Sequence, residues 1–204
     1  MPRRATGATL AAMSHERLRV GTDGVTRCWW CGDDPLYVHY HDDEWGVEVR
    51  GDREIFERIT LEGFQAGLSW LSILKRREGF RAAFHNFELE AVSALTHVDV
   101  ERLMLDIGII RNRAKILSTI NNAKVILEMQ SRGESISDLV WSFKPNTSPR
   151  SAEEFGWLTI TDESKALSKE LRLRGFGFVG PTTMYAMMQA IGMVKDHAPG
   201  CFKR

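Results

Sequence analysis

Two half-motifs at opposite ends of the chain limit its fold more than any other feature. Cys28 and His41, twelve residues between them, lie near the start; His197 and Cys201, three residues between them, lie in the string DHAPGC near the end. Two thiolates and two imidazoles are a donor set for tetrahedral zinc, and a His-x3-Cys pair is short enough for both side chains to reach one ion. If one ion takes all four, residues about 170 apart are clipped together. By loop-closure reasoning the gain is roughly 5 kcal/mol at most. Four protein ligands leave no open position, so the metal is structural. The competing assignment makes Cys28-Trp29-Trp30-Cys31 a ligand or redox pair, with His41 an ordinary surface residue. The only other cysteine is Cys201, and three cysteines cannot close as disulfides; the framework of a small secreted scaffold is excluded. A zinc deaminase is excluded too, because its signature runs His-x-Glu and later Pro-Cys-x-x-Cys. Here Cys28-x-x-Cys31 comes before His41, no proline precedes Cys28, and His41 is followed by Asp42, Asp43 and Glu44.

A chain of 204 residues, 43% hydrophobic and 26% charged, has room for one domain with a real core or for two small lobes. No apolar run approaches the roughly 18 residues of a membrane span. The opening MPRRATGATLAAM lacks the sustained apolar core of a secretory signal. The expectation is a cytoplasmic protein with a disordered tail over residues 1–24, in which Met13 is a second candidate start. Lys+Arg 27 balances Asp+Glu 27, so an anionic partner must be met by a local patch. Residues 23–48 hold seven acids against Arg27 alone. Residues 101–132 hold six bases against three acids, and Lys75, Arg76, Arg77 and Arg81 gather around Glu78. The basic side is the candidate phosphate-facing side, if these runs are more than solvated helix faces.

The apolar spacing is helical almost throughout, which makes the fold all-α. Ile55, Phe56 and Ile59 follow Asp52, a candidate cap, in a helix ending near Gly63. Ser69 caps a helix carrying Trp70, Ile73 and Leu74 and closed by Gly79. Thr96 and Asp99 read as a capping box before Val100, Leu103 and Met104. Asn112 opens a helix with Ile116, Ile120, Ala123 and Leu127. Ser164 or Asp162 starts another, stopped by Gly175, and Pro181 sits at the first position of a final helix.

Between two of these helices lies Asp106-Ile107-Gly108-Ile109-Ile110-Arg111. An apolar-Gly-apolar turn of this kind is how a helix-hairpin-helix element offers backbone N–H groups and a helix N-terminus to a phosphate. Arg111, Arg113 and Lys115 are placed to add charge. Gly108 serves equally well as a plain helix cap, and the second glycine usual in such hairpins is absent. Upstream, Trp29, Trp30, Trp45 and Trp70 cluster in sequence with Tyr37 and Tyr40, and Glu62 adds a carboxylate. Aromatic faces with an acid among them suit a cationic, planar ligand; the alternative is a packed core with Glu62 at a solvated helix end.

Taken together, YHDDEWG (40–46), LEGFQAGLSW (61–70), DIGIIRNRAKI (106–116), VWSF (140–143), GFGFVGPTTMYAMMQAIG (175–192) and DHAPGC (196–201) resemble the DNA-3-methyladenine glycosylase I family. The likeness runs from about Arg27 to Cys201. It implies a helix-hairpin-helix DNA glycosylase fold over residues 25–204. In it a zinc lobe is built from about 25–50 and 176–204, around a hairpin-helix region of about 51–175. The zinc ligands it implies are Cys28, His41, His197 and Cys201, which makes Cys31 a bystander. The base pocket falls on Tyr40, Glu62 and Trp70 with walls from Trp30 and Trp45, and Glu62 is the catalytic candidate. DNA contacts fall on Gln65, Gly67 and Leu68, inserted beside the extruded nucleotide, and on Gly108, Arg111 and Lys115 of the hairpin. Phe64 departs from the polar Gln frequent there, and its expected effect is on the approach to the pocket.

The activity implied is hydrolysis of the glycosidic bond of 3-methyladenine in duplex DNA, without a lyase step, by a monomer with no obligate protein partner. The rival from another class is a non-catalytic, zinc-stabilised DNA-binding module, which binds DNA and releases no base. A nearer rival removes other alkylated bases such as 3-methylguanine.

Overall fold

The computed structural model describes residues 17–146 and 158–204. As the spacing predicts, it is mainly helical, with one short antiparallel ribbon of β1 (Leu18–Val20) and β2 (Thr26–Cys28). That ribbon shortens the expected tail. Residues 1–16 lie outside the described residues, but Leu18 pairs with Cys28 across a turn in which Gly24 takes φ +76°. The Arg27 guanidinium then ties Asp23 in that turn to Asp42.

Ten α-helices follow among the described residues: α1 (Pro35–Asp43), α2 (Asp52–Gln65), α3 (Trp70–Leu74), α4 (Arg77–Ala83), α5 (Leu89–Ser93), α6 (His97–Leu105), α7 (Arg113–Ser131), α8 (Ile136–Trp141), α9 (Asp162–Leu173) and α10 (Pro181–Ala190). Several starts are where side-chain chemistry puts them. Ser69 accepts from Ser72 N, Asn112 accepts from Lys115 N, and Thr96 and Asp99 form the reciprocal box. Pro181 opens α10, where a missing N–H costs nothing.

Four boundaries differ from the sequence reading, each for a tertiary reason. Asp52 does not cap α2: its carboxylate accepts from Ser135 Oγ at 2.6 Å and Ser137 N at 3.0 Å, fastening the start of α8 to that of α2. Gly63 does not end α2, which runs on to Gln65; a Cβ there would meet the Phe178 Cβ at 3.2 Å. Gly79 lies inside α4 and the expected single helix breaks before it. Its bare Cα receives the Gly108 backbone, since a Cβ would stand 2.9 Å from the Gly108 carbonyl carbon. Thr161, rather than Asp162 or Ser164, caps α9, with Ser164 closing the box.

The core is centred on α2. Ile55, Phe56, Ile59 and Leu61 are buried against Ile116, Ala123 and Ile126 of α7 and Met184 and Met188 of α10. Phe64 belongs to this core: it packs on Phe80 at 4.7 Å and Phe84 at 6.1 Å between ring centroids, so it does not shape the pocket approach. A second, smaller cluster of Tyr40, Trp45, Leu74 and Ala190, flanked by Trp30 and Trp70, separates this core from the two chain ends. No helix among the described residues is long and apolar enough to cross a membrane.

Candidate base pocket and metal centre

The two chain ends meet. Cys28 at the end of β2, His41 in the last turn of α1, and His197 and Cys201 beyond α10 are all buried, with one ligand atom from each lying within 4.8 Å of the others. Cys201 Sγ stands 3.5 Å from His41 Nε2 and 3.6 Å from His197 Nδ1, and Cys28 Sγ stands 3.8 Å from His197 Nδ1. A tetrahedron with metal–sulfur bonds of about 2.3 Å and metal–nitrogen bonds of about 2.0–2.1 Å has S···N edges of about 3.6 Å. The group therefore fits a metal ion by both donor chemistry and spacing. The outer nitrogens are held as metal-binding histidines require: His41 Nδ1 lies 2.7 Å from Asp42 Oδ1, and His197 Nε2 lies 3.3 Å from Trp45 O. Ala198 N donates to Cys28 Sγ at 3.2 Å. Cys31 stays outside the cluster, its thiol turned to the Cys28 carbonyl. Gly192, at φ +74°, brings the chain after α10 against Gly46 and Val47, where a Cβ would stand 2.8 Å from the Val47 carbonyl carbon.

The aromatic cluster beside this lobe lines an open pocket of about 270 Å³, room for a flat bicyclic base. Trp30, Tyr40, Trp45, Glu62, Gln65 and Trp70, all singled out in the sequence, line it together. Trp30 packs on Tyr37 and Trp45 at 5.2 and 5.0 Å, and Tyr40 on Trp70 at 5.3 Å. Trp45 in turn meets the His197 ring edge-on at 4.6 Å, so one cavity wall rests on the metal lobe. Trp29 is 54% exposed and takes no part.

Glu62 is the singular group in this wall. It is 4% exposed and makes no hydrogen bond among the described residues. Burial pushes its carboxyl up to about 8, opposed only by the charge of Arg58. Neutral at pH 7 for the most part, it is poised to ionise when a positive charge approaches. Burial also lifts the Tyr37 hydroxyl to about 12 and that of Tyr40 well above its ordinary value, so both remain protonated donors.

Sequence reasoning named Tyr37 only as a neighbour of the aromatic run and missed Thr182, Tyr185 and Gln189; Leu158, Thr159 and Ala186 make up the rest of the lining. A signal was present: Tyr37 precedes Tyr40 by three, and Thr182, Tyr185 and Gln189 step by three and four along one face of α10.

The loop from the end of α2 to α3 leaves the cavity for the surface. Gln65 Nε2 braces it at Leu68 O, Gly67 takes φ +85°, and the Leu68 side chain is 42% exposed. The hairpin of α6, Asp106–Asn112 and α7 stands next to it. Lys115 departs from expectation. Its ammonium is buried and donates at 2.9 Å to both Phe64 O and Ala66 O, capping α2 and joining that loop to the hairpin, with its charge turned inward. Gly108 also differs. Its N–H donates to Asp106 Oδ1 at 2.7 Å, and its place in the hairpin is the close contact with Gly79. The amides of Ile109, Ile110 and Arg111 have no partner among the described residues, and the Arg111 side chain is exposed. Arg113 pairs with Glu101 across the hairpin at 2.6 Å.

A family model described as methyladenine glycosylase matches residues 30–204. The DNA-3-methyladenine glycosylase 1 of Escherichia coli strain K12 is 50% identical over 180 residues, covering 87% of this chain and 96% of its own. A crystal structure of a 3-methyladenine DNA glycosylase I superposes with a TM-score of 0.81 at 50% identity, covering 86% of this chain and 98% of that one. The 3-methyladenine DNA glycosylase I of Staphylococcus aureus, in a structure concerned with recognition of 3-methyladenine, gives 0.76 at 35% identity over 83% and 92%. With a model matching nearly the whole described chain and relatives matched over almost their full length, the chain belongs to the methyladenine glycosylase family.

Proposed function

We propose that the protein acts in base-excision repair, hydrolysing the N-glycosidic bond of 3-methyladenine in alkylated duplex DNA to release the base and leave an abasic site. The observation that carries this reading is Glu62, a buried carboxyl without a hydrogen-bond partner among the described residues, in the wall of an aromatic cavity. Such a group is costly to hold unpaired, and a cationic planar ligand relieves that cost.

Methylation at N3 makes the adenine ring of the nucleotide cationic and its glycosidic bond weak. The leaving base then needs little acid assistance, and the task of the protein is recognition. The amides of Ile109, Ile110 and Arg111, with the Arg111 side chain and the N-terminus of α7, hold phosphates. The lesion swings out at the few kcal/mol typical of unstacking, and Leu68, carried by the turn at Gly67, fills the gap it leaves. Trp70 and Tyr40 receive the ring between the walls of Trp30 and Trp45. The positive charge stabilises the ionised form of Glu62, whose proton passes to water as the base enters, and the carboxylate accepts charge-assisted hydrogen bonds from the base. Neutral adenine has no such charge and binds less well. As the bond stretches, positive charge passes to the sugar while Glu62 stays negative, and water attacks the sugar carbon. The reaction is hydrolysis by water, without a covalent Schiff base or strand cleavage.

Zinc fits the Cys28, His41, His197 and Cys201 group, where it would supply a structural crosslink with no open position for water.

The test is release of free 3-methyladenine from methylated duplex DNA by the wild type, Glu62→Ala and Trp70→Ala. Release by the wild type and its loss in both variants is the expected result. Full activity in both variants removes the pocket assignment, and salt-dependent DNA binding with no base released by the wild type favours the non-catalytic module.

A further inference from the structure

We propose that Asp196 orients the Gln189 side chain so that the cavity offers a hydrogen-bond acceptor to the 6-position of a bound purine, selecting adenine-type over guanine-type lesions. The inference rests on the function proposed above. Gln189 lies one turn beyond Tyr185 on α10, and both side chains line the cavity. Gln189 Nε2 donates to Asp196 Oδ2 at 2.9 Å, and the Tyr185 hydroxyl donates to the same oxygen. A carboxylate oxygen only accepts, so chemistry alone settles which way the amide faces: nitrogen toward Asp196, oxygen away from it. Gln189 Oε1 then has no partner among the described residues, in a side chain that borders the cavity.

Adenine carries an amino group at its 6-position, a donor that meets this acceptor. Guanine carries a carbonyl there, so two acceptors face one another with no proton between them, and both lose water without compensation. A buried mismatch of that kind is worth about ten- to a hundredfold in affinity. Asp196 is thus a positioning residue acting through Gln189. It is 5% exposed and sits beside the metal-group residue His197, which makes the polarity of this wall depend on the order of the metal lobe.

The experiment measures two quantities for wild type, Gln189→Met and Asp196→Asn. One is the ratio of 3-methyladenine to 3-methylguanine released from methylated duplex DNA. The other is equilibrium binding of the two free bases, followed by tryptophan fluorescence. Melting temperature and bound metal are recorded for each protein. The expected result is that Gln189→Met loses tenfold or more on 3-methyladenine, in release and in binding, and is unchanged or improved on 3-methylguanine, which no longer meets an opposing acceptor. Asp196→Asn, which frees the amide to turn over, moves the ratio the same way. Equal losses on both bases, or an unchanged ratio, overturn the inference. If Asp196→Asn fails to fold, Gln189→Met still decides, since it leaves Asp196 in place. Binding preferences that shift as expected without any base release by the wild type would sink the proposed function and leave this inference standing. A wild type that binds neither base would sink both.

Discussion

Replacing Glu62 by glutamine should make the folded protein more stable, by a margin that grows with pH. Burial holds this carboxyl at about 8 in the folded chain against an ordinary 4.5. Because the folded value is the higher one, the stability tied to this group is intact below about 4.5 and is lost as pH rises toward 8. At about 1.4 kcal/mol per unit, the folded state carries a cost of roughly 3 kcal/mol at pH 7 and roughly 5 kcal/mol above pH 8. An amide of the same shape does not titrate, so the two proteins should unfold alike near pH 4.5. By pH 8.5 the variant should lead by several kcal/mol. Urea unfolding at pH 4.5, 7 and 8.5 measures this, and the difference between the two proteins cancels the pH dependence of the metal group common to both. A difference that stays flat across that range refutes the argument that burial raises the carboxyl. The same substitution should flatten catalysis: wild-type kcat/KM for the cationic lesion should rise about tenfold between pH 6 and 7 and level off near 8, as the ionised form becomes available.

Three further outcomes follow from the geometry. Removing the metal with a chelator, or substituting Cys201→Ala, should cost up to roughly 5 kcal/mol and abolish base binding along with the thermal stability of the end lobe; elemental analysis without zinc removes the assignment of the metal. Gly79→Ala should push the hairpin loop off α4 at a cost of about 1–3 kcal/mol and weaken binding to undamaged duplex DNA at least tenfold, which a fluorescence anisotropy titration reads. Lys115→Met leaves the Phe64 and Ala66 carbonyls without their donor, about 1–3 kcal/mol, and should speed hydrogen exchange at Gln65–Leu68 while binding to undamaged duplex keeps its salt dependence.

Local chemistry was legible wherever a residue satisfies its own helix. Ser69, Thr96 and Asn112 cap where their side chains stand in sequence, and Pro181 opens α10. Legibility ended where a residue serves a distant segment. Asp52 looks like a cap and binds the start of α8; Gly63 and Gly79 look like stops and are close-approach points; Lys115 looks like a phosphate ligand and caps α2. The turn His85-Asn86-Phe87, with φ between 51° and 60° and no glycine, gave no signal at all, because it is held by the burial of Phe87. Of the site, the metal group and the aromatic walls were visible as residue types whose chemistry needs company. Gln189 was visible only as a position on the Thr182–Tyr185 face of α10; its role as an oriented acceptor was not, since it appears only when Asp196 is beside it.

The contact between Trp45 and His197 has a temporal consequence. During synthesis Tyr40, Glu62 and Trp70 emerge early and the hairpin follows, but the wall behind Trp45 is missing until residues 196–201 arrive. A chain interrupted before that point has Trp45 without the His197 ring behind it and lacks two of the four metal-group residues. The pocket wall is therefore finished only when residues 196–201 join the lobe begun by Cys28 and His41.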